Sequence, residues 1–202
     1  MSLSTDLLRE LRTENQRLKT ENQSLMNELI RLRQSIRSLF RLQSKLDQIN
    51  VLTEPFDVIN TILSVALDAV NSRDGSLMLL DEDTHELVFV HVLGSAQKQL
   101  TGYRLPPGQG IASYVVNTRT AKLVLDVSQE PRFSPLVDQL TGFLTTSLIC
   151  VPLLDNYRAL GAIEVVNSAG GNPFRKEDLD IMQLVARLAT LAILKSDSMA
   201  AP

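Results

Sequence analysis

Leucine recurs at every seventh position, without a break, at Leu11, Leu18, Leu25, Leu32, Leu39 and Leu46. Three residues before or four after each stand Leu8, Asn15, Asn22, Leu29, Ile36, Gln43 and Asn50. The spacing is that of the a and d positions of a coiled coil, with leucine at every d. Neither glycine nor proline occurs in the first 50 residues, so nothing interrupts a helix there. Asparagine at a favours parallel two-stranded pairing, because the two amides can bond across the axis. In that register Glu14 meets Lys19 and Glu28 meets Arg33 of the other chain, both attractive. The pattern predicts a stalk over residues 1–52, about 70 Å long at about 1.5 Å per residue. It predicts a parallel homodimer joined through Leu11, Asn15, Leu18, Asn22, Leu25, Leu29, Leu32, Ile36 and Leu39. The arginines from Arg31 onward read as a solvated basic face. A DNA-binding basic region would precede such a zipper, and residues 1–7 hold no Arg or Lys.

The remaining chain differs in composition. The first 50 residues carry nine basic and six acidic side chains, whereas the rest carries 11 basic and 17 acidic. A total of 202 residues suits one domain plus an appendage. The single cysteine, Cys150, excludes a disulfide framework and any cysteine-built zinc site. Two histidines, His85 and His91, leave little for metal or acid–base chemistry. A net charge of −3 argues against a nucleic-acid surface. No apolar run approaches a membrane span, and no secretory leader opens the chain. The expectation is a cytoplasmic protein that is not an enzyme and carries no cofactor.

Thr53-Glu54-Pro55 has the chemistry of a helix start, Thr capping and Pro in the first turn. A helical apolar period then runs from Phe56 to Val70, and Asn71–Gly75 reads as a turn. Short strands are predicted over Ser76–Leu80, Glu86–Leu93, Gly102–Leu105, Lys122–Leu125, Ser147–Leu154 and Ala159–Asn167. A helix is predicted over Gly110–Thr118, an irregular stretch over Asp126–Gly142 and a glycine-rich loop over Ser168–Phe174. A last helix is predicted over Lys176–Lys195, with more apolar positions than one contact face needs. The pattern is α+β: a parallel coiled coil, then a six-stranded antiparallel sheet with helices packed on it. The first and last helices of the body would share one face. The irregular segments would take the other, where a cavity can form. The domain spans 53–197, and 198–202 are expected as a disordered tail.

The body is similar to a GAF domain. The segments that carry the likeness are RLPPGQGIASYVVNT (104–118), DVSQEPRFS (126–134), TGFLTTSLICVPL (141–153), GAIEVVNS (161–168) and NPFRKEDLDIM (172–182). They most resemble GAF domains of cyclic-nucleotide phosphodiesterases and bacterial adenylyl cyclases. The resemblance implies a regulatory module that binds a small molecule, is dimeric and has no chemistry of its own. It implies ligand contacts at Ser76, Ile111, Ala112, Asp138, Thr141, Thr145 and Glu164. Val92 and Leu93 stand where such relatives have an aromatic and a polar contact. Of the family's Asn-Lys, Phe and Asp-Glu signature, Asn167, Phe174 and Asp178 are present. Ser168 replaces the Lys and Leu179 the Glu, so the signature's Lys–Asp ion pair is absent. Bilin, haem and methionine-sulfoxide-reducing relatives fit less well, for want of cysteine and histidine.

The residues themselves leave alternatives open. Free N–H groups at the start of the Gly110 helix can meet a phosphate. Asp138 reads either as a ligand acceptor or as a cap on a short helix. Glu164 points away from Ile163 and Val165, toward a ligand or toward solvent. Asp178 suits a helix N-terminus, Arg132 an anion or plain solvent, and Cys150 an inert core. The functional expectation is a sensory module, a cyclic nucleotide being the ligand the resemblance points to, that relays a change through its coiled coil. The alternative is a GAF domain used only for dimerisation and protein interaction.

Overall fold

The computed structural model describes residues 2–47, 55–156, 158–169 and 173–200. The predicted cap Thr53, Tyr157 of the last hairpin turn and 170–172 of the glycine-rich loop lie outside them. A single helix, α1 (Ser2–Asp47), is followed by α2 (Pro55–Val70). Then come β1 (Ser72–Leu80), β2 (Leu87–Leu93), the one-turn α3 (Gln97–Leu100) and β3 (Arg104–Leu105). They are followed by α4 (Gly110–Thr118), β4 (Lys122–Val124), a 3-10 turn at Val127–Gln129 and α5 (Leu136–Thr141). The chain ends with β5 (Leu148–Asp155), β6 (Arg158–Ser168) and α6 (Lys176–Ala200). All six strands form one antiparallel sheet in the order β3-β2-β1-β6-β5-β4.

Strand alternation divides the core in two. Leu77, Ile149, Val151, Ile163 and Val165 face one way and pack with Ile62, Leu63, Ala66, Met182, Val185 and Ala189 of α2 and α6. Alanines at Ala66, Ala69, Ala186, Ala189 and Ala192 keep the helical layer close to itself and to the sheet. Met78, Leu148, Cys150 and Ala162 face the other way, against Ile111, Val115 and Val116 of α4. Each fully buried aliphatic side chain is worth about 1.5–3 kcal/mol, so both faces stabilise the sheet.

Four expectations are corrected. Asn71–Gly75 is not a turn: Asn71 alone takes a left-handed φ of 53°, and β1 begins at Ser72 because β6 supplies a partner as far as Ser168. The third strand shrinks to Arg104–Leu105, since Gly102 has a φ of 83°. Helix α6 continues to Ala200, beyond the predicted helix end at Lys195.

The fourth correction concerns the stalk. Helix α1 is unbroken, but its C-terminal part is not free of the domain; from Arg31 on it lies against α2 and α6. Ser35 is buried and its Oγ donates to the Ala69 carbonyl at 2.7 Å. Gln34 donates to the Asp68 carbonyl at 3.2 Å, and Arg41 pairs with the Asp68 carboxylate at 3.1 Å. The basic face beginning at Arg31 is therefore only partly solvated. The helix docks by its flank: Leu39 reaches the core, while Leu32 and Ile36 stay 52% and 44% exposed. Leu11, Leu18, Leu25 and Leu29 are exposed as well, so the a/d stripe remains open from Leu8 to Ile36 and is covered in part at Leu39.

Candidate functional site

A row of side chains crosses the sheet on the face away from the helical layer. Ladder pairing sets Ser76 of β1 opposite Val92 of β2 and opposite Glu164 of β6. Glu164 in turn lies opposite Cys150 of β5. Because Ile163 and Val165 turn into the helical core, Glu164 must face the other side. There it forms part of the floor of a cavity. The walls are mostly apolar, among them Met78, Leu100, Leu105, Val137, Leu148 and the rings of Phe89, Phe133 and Phe143.

Four segments close the cavity. Between β2 and α3, Gly94 and Ser95 fix Asp74. The Asp74 carboxylate accepts from Ser95 N at 2.8 Å and Ser95 Oγ at 3.0 Å. Gly94 allows this approach, since a Cβ there would sit 2.2 Å from Asp74 Oδ1. Helix α4 brings its N-terminus, with Ile111 and Ala112, to the wall. Its N-cap residue, Gln109, makes no side-chain cap bond, so that side chain does not take up the first-turn amides.

Helix α5 and the following loop form the remaining cover. Asp138 accepts from Thr145 N at 2.9 Å and Thr145 Oγ1 at 2.7 Å, tying the helix to the loop before β5. Thr141 Oγ1 donates to the Val137 carbonyl at 2.8 Å and accepts from Phe143 N at 3.1 Å. Gly142 ends the helix with a φ of 71°. Asn167 anchors the same loop from β6: its Oδ1 accepts from Thr146 N at 2.8 Å and Ser147 N at 3.2 Å, and its Nδ2 donates to the Leu144 carbonyl at 2.8 Å.

Glu164 is surrounded by protein yet keeps a strip of surface open to the cavity. Its carboxyl group is pushed up to about 7, chiefly by desolvation, with the Asp138 charge adding to the rise. A hydrogen bond with the Cys150 thiol opposes the shift. Burial and the neighbouring Glu164 push the Cys150 thiol well above its ordinary value, so it is no nucleophile at neutral pH.

Ser76, Ile111, Ala112, Asp138, Thr141, Thr145 and Glu164 all border this one cavity, as do Val92 and Leu93. Asp138 is not a helix cap; its side chain serves Thr145. Arg132 does not reach the cavity. It stacks over Tyr114 at 4.3 Å and pairs with Glu130 at 3.6 Å, while Lys122 approaches the Tyr114 ring at 5.1 Å and Glu130 at 2.7 Å. His91 also lies elsewhere: it is buried, its Nε2 is 3.1 Å from Asn60 Oδ1 on α2, and Phe56 meets it edge-on. Desolvation lowers its pKa. Among the described residues no cluster of His, Cys, Asp and Glu could hold a metal ion.

Sequence reasoning missed Asp74 and the three phenylalanines. The turn assigned to Asn71–Gly75 hid Asp74, although period-two alternation from Ser76 would have found it. Phe133 and Phe143 come from the irregular stretch and its end, where no period exists to read.

The fold and cavity define a class that comparison with known proteins identifies. The GAF domain profile matches residues 55–193, and the chain belongs to the GAF family. It is 27% identical over 148 residues to the probable 3',5'-cyclic phosphodiesterase pde-5 of Caenorhabditis elegans, covering 67% of this chain and 20% of that protein. It is 31% identical over 100 residues to the dual 3',5'-cyclic-AMP and -GMP phosphodiesterase 11A of Takifugu rubripes, covering 48% of this chain and 11% of that protein. The chain thus spans a fifth or less of these relatives. Among solved structures, the GAF domain of a phosphoenolpyruvate-protein phosphotransferase from Coxiella burnetii superposes with a TM-score of 0.69. That match covers 84% of this chain and 98% of that one at 15% identity, a likeness of fold. GAF domains are regulatory modules of phosphodiesterases and sensors, and among the described residues no helix is long and apolar enough to cross a membrane.

Proposed function

We propose that this chain is a cytoplasmic, homodimeric sensory module that binds a small organic molecule and has a regulatory rather than catalytic role. One observation carries the reading. The same strands, β1, β6 and β5, floor a largely apolar cavity on one face and bear α2 and α6, on which α1 docks, on the other. A change at Glu164 or Ser76 is thus one sheet thickness from the helices that hold α1. A coupling of about 1–3 kcal/mol is typical of allostery. The open a/d stripe of α1 supports a parallel homodimer, because a seam of exposed leucines is stable when paired. Cyclic nucleotides are the first ligands to try, on the strength of the phosphodiesterase relatives.

Native mass spectrometry of the purified chain, with thermal-shift screening against cyclic nucleotides and a metabolite set, tests the proposal. A dimer that carries or gains a ligand supports it; a monomer with no shift overturns it. A second reading, a GAF domain serving only dimerisation and protein interaction, draws on Val92 and Leu93 filling part of the wall. A dimer without any ligand would favour that reading.

A further inference from the structure

Among the described residues, those around the cavity include three carboxylates, Asp74, Asp138 and Glu164, and no Lys, Arg or His. Arg132, next to Phe133, and Lys122 of β4 pair with Glu130 and Tyr114 rather than with these carboxylates. Asp74 is bonded to Ser95, and Asp138 to Thr145. Glu164 has the Cys150 thiol as its hydrogen-bond partner, a weak donor for a group so enclosed. Among the described residues of the lining, the positive feature is the α4 N-terminus, equivalent to about half an elementary charge. An enclosed carboxylate without a cation is costly, and that cost is recovered when a cation pairs with it. The phenyl rings of Phe89, Phe133 and Phe143 suit a cation attached to an apolar or aromatic body.

We propose that the cavity takes an organic cation, an amine or amidine on an apolar or aromatic body, with its charged end against Glu164 and Asp138 and its body among Met78, Phe89, Phe133 and Phe143. The inference rests on the cavity being the ligand site. Binding fixes Glu164 in its ionised form. At neutral pH, where that group is partly protonated, the proton it carries is released to solvent as the ion pair forms. The groups that face Glu164 are the Cys150 thiol from β5, the Ser76 hydroxyl from β1 and the Asp138 carboxylate from α5. None of them supplies a competing positive charge.

The test is isothermal titration calorimetry on the full chain with paired probes. Tryptamine and benzamidine are the cations, 3-methylindole and benzamide their neutral counterparts, and cyclic AMP and cyclic GMP the anions. The expected result is that at least one cation binds tenfold or more tightly than its neutral counterpart at pH 8. At pH 7 its heat should vary with the ionisation enthalpy of the buffer, reporting proton release. Glu164→Gln should weaken the cation at least tenfold and abolish the release, with an unchanged far-ultraviolet circular dichroism spectrum. Equal binding of neutral and cationic probes, cation binding indifferent to Glu164→Gln, or failure of both cations to bind overturns the inference. Binding of a cyclic nucleotide without either cation overturns the charge class while leaving the cavity a ligand site. Failure of every probe, with no carried ligand in native mass spectra, overturns both readings.

Discussion

Arg31, in the C-terminal half of the first helix, donates from Nη2 to both carboxylate oxygens of Asp178, at 2.9 and 3.2 Å. Asp178 is buried at the start of α6 and also accepts from Arg175 N at 2.8 Å. It is the Asp of the family signature whose Lys is replaced here by Ser168. The ion pair expected to be missing is thus re-formed with a different partner, from outside the GAF domain. A carboxylate buried at a helix start requires a compensating charge, and the helix that docks on the domain provides it.

Arg31→Ala should therefore destabilise the domain by about 1–3 kcal/mol, because it leaves Asp178 buried with its backbone bond alone. Urea denaturation monitored by circular dichroism measures this. Arg31→Lys should recover part of the loss, since it restores charge but not the two-oxygen contact. A variant of this 202-residue chain as stable as the parent would show that α1 is not held there.

The raised pKa of Glu164 has a sign that can be checked. Its folded value of about 7 lies above the ordinary 4.5, so the native state binds more protons than the unfolded state between those values. The group costs no stability below about pH 4.5, costs progressively more as pH rises through the window, and levels off above 7. Glu164→Gln removes this dependence. In the absence of ligand it should be more stable than the parent at pH 8, by at most about 3 kcal/mol, and equal to it near pH 4.5. Thermal denaturation of both chains across pH 4.5–8 gives the comparison.

Asn167 holds the loop over the cavity through three bonds to backbone groups and one from the Thr146 hydroxyl at 2.9 Å. It does so with a left-handed φ of 51°, a conformation asparagine tolerates. Asn167→Ala should cost about 2–3 kcal/mol and speed amide exchange at Thr145, Thr146 and Ser147. Hydrogen exchange read by mass spectrometry would locate the effect, and a uniform loss across the domain would contradict it.

The a/d stripe predicts a change of assembly. Leu25→Lys with Leu32→Lys places charge at two consecutive d positions and should convert the proposed dimer to a monomer, read by light scattering. Asn22→Leu should instead stabilise the assembly and relax its restriction to two strands, at the expense of pairing specificity.

Helix, strand and loop placement was largely legible in the sequence, because both periods leave a local trace. Gly110–Thr118 matches α4 at both ends, and the alternation around Glu164 pointed its carboxylate away from Ile163 and Val165 before any cavity was visible. The heptad marked an unbroken helix and its apolar seam. The resemblance brought seven residues scattered from 76 to 164 to one cavity. Other features had no local trace. Whether α1 stands free or docks by its flank depends on Ser35 meeting Ala69 and Arg31 meeting Asp178, pairs separated by 34 and 147 positions. The enclosure of Glu164, the diversion of Arg132 and Lys122 to Glu130, and the placement of Phe133 and Phe143 arise the same way. Burial and charge pairing depend on what the rest of the chain brings alongside. A period records only which way a residue faces, and the tertiary structure decides what it faces.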